Sequence, residues 1–181
     1  SPVPTPSARI DNIVQRLLNQ ENHLASQQLD QLLAAGHHER EARLLKAWVL
    51  GNRKEFADAL ALVEAQLSVE PWWLDALVLQ GLLHKWQSQL DAAEKAFKKA
   101  VYIRPDCWPA HYYLAGVCRR TDKNALASRA YKSAQRCLQG QGGSPTGLKV
   151  LPLNLNRSHV VFLIEHQLTR LEHTLTPSEQ D

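Results

Sequence analysis

The sequence predicts an all-α fold: antiparallel helical hairpins stacked as a superhelix, closed by a C-terminal capping helix. Three observations carry that expectation. Apolar residues recur at steps of three and four along most of the chain, the spacing that leaves one face of a helix apolar. No run of alternating apolar residues is long enough for a strand. Small and large residues return in columns at a fixed period of 34.

Taken in order, residues 1–7 place proline at 2, 4 and 6 and read as an extended linker. Ile10, Ile13, Val14, Leu17 and Leu18 define a first helix; Ala25, Leu29, Leu32 and Leu33 define a second that ends at Gly36. Helices are then expected over about 39–51, 55–69, 72–87, 91–104, 108–120 and 125–138. The stretch 74–105 is one hairpin, with apolar positions Leu74, Leu77, Val78, Leu82 and Trp86 facing Ala93, Ala96, Phe97, Ala100 and Val101 across a short polar turn. Pro105 ends its second helix. One hairpin cannot bury both faces, so it needs copies of itself.

The copies are visible as columns. Ala25, Ala59, Ala93 and Ala127 are each 34 apart, and Leu29, Val63, Phe97 and Tyr131 follow one turn later. Ala42, Ala76 and Ala110 form a third column, and Ala47, Gly81 and Ala115 a fourth. Small residues let two helix backbones approach, while the large column fills the space beside them. These columns and this period resemble the tetratricopeptide repeat. The array runs over 8–138, with a degenerate first hairpin and repeats near 40–73, 74–107 and 108–138. In the second of these, Gly81, Ala93, Phe97, Ala100 and Pro105 are all in register, whereas Lys46 stands where the first has an apolar residue by rule. A loop is expected over 139–156, rich in glycine and proline, and a capping helix over 157–175, capped by Asn156 or Ser158 and carrying Val161, Ile164, Leu168, Leu171 and Leu175. The tail 176–181 is polar.

Composition narrows the function classes. Of 181 residues, 44% are hydrophobic and 22% charged, ordinary for a globular chain, and a net charge of +3 gives no reason to expect nucleic acid as partner. Cys107, Cys118 and Cys137 are odd in number and lack CxxC spacing, which favours free thiols in a reducing, cytoplasmic setting. Cys118 and Cys137 fall on apolar faces, and Cys107 in a turn is expected to be exposed. The most apolar run, 72–83, is too short for a membrane span and is broken by Asp75 and Gln80. The chain contains no methionine, so a fragment of a longer protein is expected.

Catalytic chemistry finds little support. His159, His166 and His173 lie seven apart, ~10 Å along a helix axis, too far for one metal. His37-His38 has no identifiable partners. The glycine-rich stretch 140–147 lacks the preceding strand and immediate helix of a phosphate loop. No catalytic, cofactor or metal residues are therefore assigned. What remains is surface. In the repeat register the groove-facing positions are Trp48, Asn52, Asp75, Val78, Leu82, Lys85, Tyr112, Arg119 and Arg120, a mix suited to an amphipathic helix or an acidic peptide, although Val78 and Leu82 equally fit the hairpin core and Lys85, Arg119 and Arg120 a solvated helix end. Leu44 and Trp48 stand where the chaperone-binding subclass of these repeats carries lysine and asparagine, so chaperone-tail binding is not expected. Trp72, Trp73 and Trp108, at turns, are expected to pack rather than contact partners.

A narrower resemblance lies in 99–138. Ala100, Tyr102 and Pro105 are followed by Ala110, His111 and Leu114, then by Arg129, Tyr131, Ala134 and Leu138, and after a loop by a terminal helix. Together, over roughly 40–175, these resemble the C-terminal repeat region of bacterial CheR-type chemoreceptor methyltransferases. The resemblance implies a full-length protein transferring methyl groups from S-adenosylmethionine to receptor glutamates, with the catalytic domain before Ser1. This chain would then carry no catalysis and no cofactor. It would regulate by binding the receptor, a response regulator or the methyltransferase domain itself. A general assembly scaffold, in secretion or pilus biogenesis, is the competing reading. A chain that itself binds S-adenosylmethionine is the enzyme-class alternative, and the missing strand–loop–helix unit counts against it.

Overall fold

The computed structural model describes residues 6–37, 39–140 and 146–174. Among them are nine helices and no strand: α1 Pro6–Leu18, α2 Asn22–Ala34, α3 Glu39–Asn52, α4 Phe56–Val69, α5 Leu74–Trp86, α6 Leu90–Ile103, α7 Trp108–Arg120, α8 Asn124–Gly140 and α9 Arg157–Glu172. The chain divides into two compact units, Ser1–Leu83 with Lys149–Asn154, and His84–Leu148 with Leu155–Asp181.

The 34-residue columns are the core. Ala25, Ala59, Ala93 and Ala127 are fully buried, and so are Leu29, Val63 and Phe97, with Tyr131 at 2% exposure. Ala42, Ala47, Ala76, Ala110 and Ala115 are also fully buried. A methyl group at these positions is as much side chain as the helix-to-helix distance admits. In the first unit α1 packs on α2, α2 on α3 and α3 on α4. In the second, α7 packs on both α6 and α8, and α9 packs on α8.

The same period governs the backbone. Gln20, Lys54, Ser88 and Asp122 all have positive φ, between 58° and 64°, and each is 34 residues from the next. Each follows the first helix of a hairpin. The amide of Ser88 donates to the Lys85 carbonyl and that of Gln89 to the His84 carbonyl, the paired bonds of a Schellman turn. The same pair recurs at Gln20 and Glu21, at Lys54 and Glu55, and at Asp122 and Lys123. No glycine marks these turns, so the residue types alone gave no sign of them. Gly36 makes the equivalent turn at the end of α2, with φ 71°.

Local differences from the sequence expectation have simple causes. Pro6 and Ser7, assigned to the 1–7 linker, form the first turn of α1, where proline's fixed φ is already helical. Residues 1–5, His38, 141–145, Leu175 and the 176–181 tail lie outside the described residues. The capping helix ends at Glu172, short of the expected 175, and its buried line is Val160, Ile164 and Leu171, so Val161 is displaced to its half-buried flank. Asn156 is its cap, accepting the His159 amide at 2.9 Å. Arg157 donates to the Leu138 carbonyl and ties α9 to the end of α8. Cys107 is fully buried rather than exposed; it stands at the head of α7, its carbonyl accepting the His111 amide. Trp73 and Trp108 pack, but Trp72 is 64% exposed. Arg40 stacks 3.7 Å from the Trp73 ring centroid and pairs with Glu70. Lys46 reaches Asp30 at 2.9 Å, which accounts for a cation at an otherwise apolar position.

Candidate functional site

The nine expected groove positions have different fates. Trp48 is half-buried and Asn52 exposed, one turn apart on α3. Asp75, Val78 and Leu82 are 1%, 0% and 3% exposed and present no surface to a peptide. Asp75 is instead the anchor of a chain segment. Its carboxylate accepts the amides of Lys149 (3.0 and 3.1 Å), Val150 (2.8 Å) and Leu151 (3.0 Å). Val150, Leu151 and Pro152 are buried with it, so the expected open loop holds an ordered strap.

The remaining four, Lys85, Tyr112, Arg119 and Arg120, come together in the second unit. They line a cleft of about 120 Å³ with Tyr113, Gly116, Tyr131, Leu163 and Gln167. The positioning is helical arithmetic. Tyr112, Gly116, Arg119 and Arg120 are spaced four, three and one on α7 and so share one side of it. Tyr131 comes from α8 across the hairpin, and Leu163 and Gln167, one turn apart, come from α9. Lys85 is in the last turn of α5, within the second unit.

Aromatic rings form a continuous wall. Tyr113 stacks on Phe97 at 5.6 Å between centroids, Tyr112 leans on Tyr113 at 5.8 Å, and Tyr112 meets Tyr131 edge-on at 6.4 Å. Lys85 Nζ stands 5.2 Å from the Tyr113 ring centroid, and Arg119 Nε donates to the Tyr131 hydroxyl at 3.4 Å. Burial lowers the Lys85 pKa, and the charges of Arg120 and Arg119 lower it further. Burial also raises the Tyr112 and Tyr113 phenols, which stay protonated donors. Three cations thus share one cleft, and none of its lining residues is a carboxylate.

Tyr131, Leu163 and Gln167 escaped sequence reasoning for different reasons. Tyr131 sits in a core column, and nothing in that pattern says that its hydroxyl reaches a surface cleft. Leu163 and Gln167 are ordinary residues of a distant helix. Elsewhere, among the described residues, no group of three His, Cys, Asp or Glu side chains is placed to hold a metal ion. No described helix is long and apolar enough to cross a membrane. Cys107, Cys118 and Cys137 are not joined in disulfides.

No protein-family model and no curated protein matches this sequence. Solved structures do resemble it. The type III secretion translocator chaperone SycD of Yersinia enterocolitica matches with a TM-score of 0.63 at 11% identity, over 74% of this chain and 83% of its own. MamA (41-end) from Desulfovibrio magneticus RS-1 matches at 0.63 and 22% identity, over 77% and 78%. The Sgt2 TPR domain from Aspergillus fumigatus matches at 0.58 and 17% identity, over 77% and 86%. At these identities the likeness speaks for architecture: the fold is all-α and of the tetratricopeptide type.

Proposed function

We propose that this chain is a non-catalytic protein–protein interaction module, which takes a segment of a partner protein at the cleft on α7. One observation carries the reading: an aromatic wall and three cations without a lining carboxylate meet in a concave site, on a fold whose architecture is that of repeat proteins. Aromatic side chains with arginine are the composition of energetic anchor points at interfaces. The reading requires no cofactor and fits a cytoplasmic, non-membrane protein.

The resemblance of 99–138 to CheR-type repeat regions supports a regulatory role beside a chemoreceptor methyltransferase. The partner would be the receptor's cytoplasmic region, a response regulator or the methyltransferase domain. Calorimetry of this chain against each of the three tests it. Binding to one of them, weakened by Tyr112→Ala, is the expected result. No heat with any of them at high micromolar concentration sinks the regulatory role.

The likeness to SycD, a type III secretion translocator chaperone, favours a second reading, an assembly scaffold in secretion. The coding sequence in frame before Ser1 separates the two, since a methyltransferase there supports the first.

A further inference from the structure

We infer that the α7 cleft is a carboxylate-binding site, which seats neighbouring glutamate or aspartate side chains of an acidic partner segment. The inference rests on the interaction-module reading and names the chemistry of the partner. Four features point to it.

The first is charge without counter-charge. Among the described residues, the ion pairs all involve other groups, and Lys85, Arg119 and Arg120 take part in none. Elsewhere in the second unit, Lys98 and Lys123 both pair with Glu94 at 2.8 Å, and Arg104 with Asp106. The three cleft cations are the last-turn residues of α5 and α7, where the negative helix end offsets part of their charge. That explains why cations sit at each helix end. The 34-residue repeat, which sets Lys85 and Arg119 at equivalent positions, brings the two ends together, but neither fact explains why Lys85 is half-buried beside both arginines.

The second feature is the wall. The Tyr112, Tyr113 and Tyr131 rings, together with Leu163, give a partner's methylene groups apolar surface. Glutamate brings both a CH₂ stem and a carboxylate, whereas a bare phosphate uses only the cations. The third is the donor set. Arg119 and Arg120 guanidinium groups, the Lys85 ammonium and the Tyr112 hydroxyl are all donors toward an oxyanion. The fourth is room. Gly116 lines the cleft, and a Cβ built there meets no atom within 4 Å. More than one carboxylate is expected, because a single anion leaves most of the charge uncompensated.

The test is titration of the ¹⁵N-labelled chain with hexaglutamate, hexaglutamine and inorganic phosphate, followed by amide shifts. Hexaglutamate is expected to shift Gly116–Thr121 and the 163–167 amides, with affinity falling as salt rises. Hexaglutamine is expected to bind at least about tenfold more weakly, since the charge-assisted bonds are gone. Arg119→Gln with Arg120→Gln should abolish the hexaglutamate shifts. Gly116→Leu should do the same while removing no charge, and its spectrum reports directly that the helices are intact. Equal shifts with hexaglutamine, unchanged binding by Gly116→Leu, or phosphate shifting these amides where hexaglutamate does not, would each overturn the inference. Calorimetry against the three candidate partners stays separate. A partner that binds the Arg119→Gln, Arg120→Gln variant as tightly as the native chain removes the carboxylate site and leaves the interaction module standing.

Discussion

The Asp75 carboxylate accepts the Val150 amide at 2.8 Å, at the centre of a set that includes the amides on either side of it. A carboxyl group at 1% exposure is costly to bury unless donors satisfy its oxygens, and here three consecutive backbone amides do so. The bonds hold 149–151 to a helix 74 residues earlier in the sequence. Asp75→Ala is expected to cost about 2–4 kcal/mol, since it leaves the buried Val150 and Leu151 amides, and the part-buried Lys149 amide, without this acceptor. Amide hydrogen exchange at Lys149, Val150 and Leu151 should rise with it. Asp75→Asn, which retains one acceptor oxygen, should fall between the two. Native protection at these amides in Asp75→Ala would contradict the assignment.

The period-34 left-handed residues predict stabilising substitutions. A residue with a Cβ pays roughly 1 kcal/mol to hold positive φ, and glycine does not. Lys54→Gly and Ser88→Gly are each expected to raise stability by about 0.5–1 kcal/mol, read as an upward shift in thermal midpoint. Asp122→Gly should gain least, because aspartate tolerates this conformation better than most residues. A fall in midpoint for Lys54→Gly would mean that the lysine side chain contributes more than its backbone costs.

Column positions should be intolerant in opposite directions. Ala93 is fully buried between helices, so Ala93→Leu overpacks and is expected to cost at least about 1–3 kcal/mol. Phe97, fully buried against Tyr113, should lose about 3–5 kcal/mol as Phe97→Ala. Tyr102 is 80% exposed, and Tyr102→Ala should stay within about 0.5 kcal/mol. Denaturant melts of the three variants check the order.

Glu94 gives the chain an acid-sensitive bond. Hydrogen bonds from Lys123 and then Lys98 hold its pKa below the ordinary 4.5, outweighing burial. The folded chain therefore keeps Glu94 ionised at a pH where the unfolded chain has protonated it. Its contribution is complete above pH 4.5 and fades as pH falls through the lower folded value. Glu94→Gln should lower the thermal midpoint at pH 7 by a few degrees. The gap to the native chain should narrow as pH drops below 4.5. A gap independent of pH would place the effect in packing instead.

The thiols should differ in reactivity. Cys107 and Cys118 are buried, and burial followed by the Glu94 charge pushes the Cys118 thiol up to about 11. Cys137 is half-buried, and burial raises its thiol as well. At pH 8 a thiol reagent is expected to label Cys137 first and slowly, and all three only after denaturation. Rapid labelling of Cys107 would contradict its place at the head of α7.

The sequence by itself determined the helices and the core. Both depend on local period: the 3.6-residue turn sets which face is apolar, and the 34-residue return of Ala93 and Phe97 sets which faces meet. The hairpin from 74 to 105 was legible for that reason. Only the tertiary structure decided the surface. Asp75, Val78 and Leu82 share the helical register of a groove, yet they are buried, because burial depends on what packs over a helix and not on the helix alone. The strap at Lys149–Leu151 has no periodic signal, since its bonds come from one distant carboxylate. The cleft that joins Lys85, Arg119 and Arg120 to Tyr131, Leu163 and Gln167 draws on four helices. Each helix was readable alone, but their meeting is a long-range contact that no local pattern encodes.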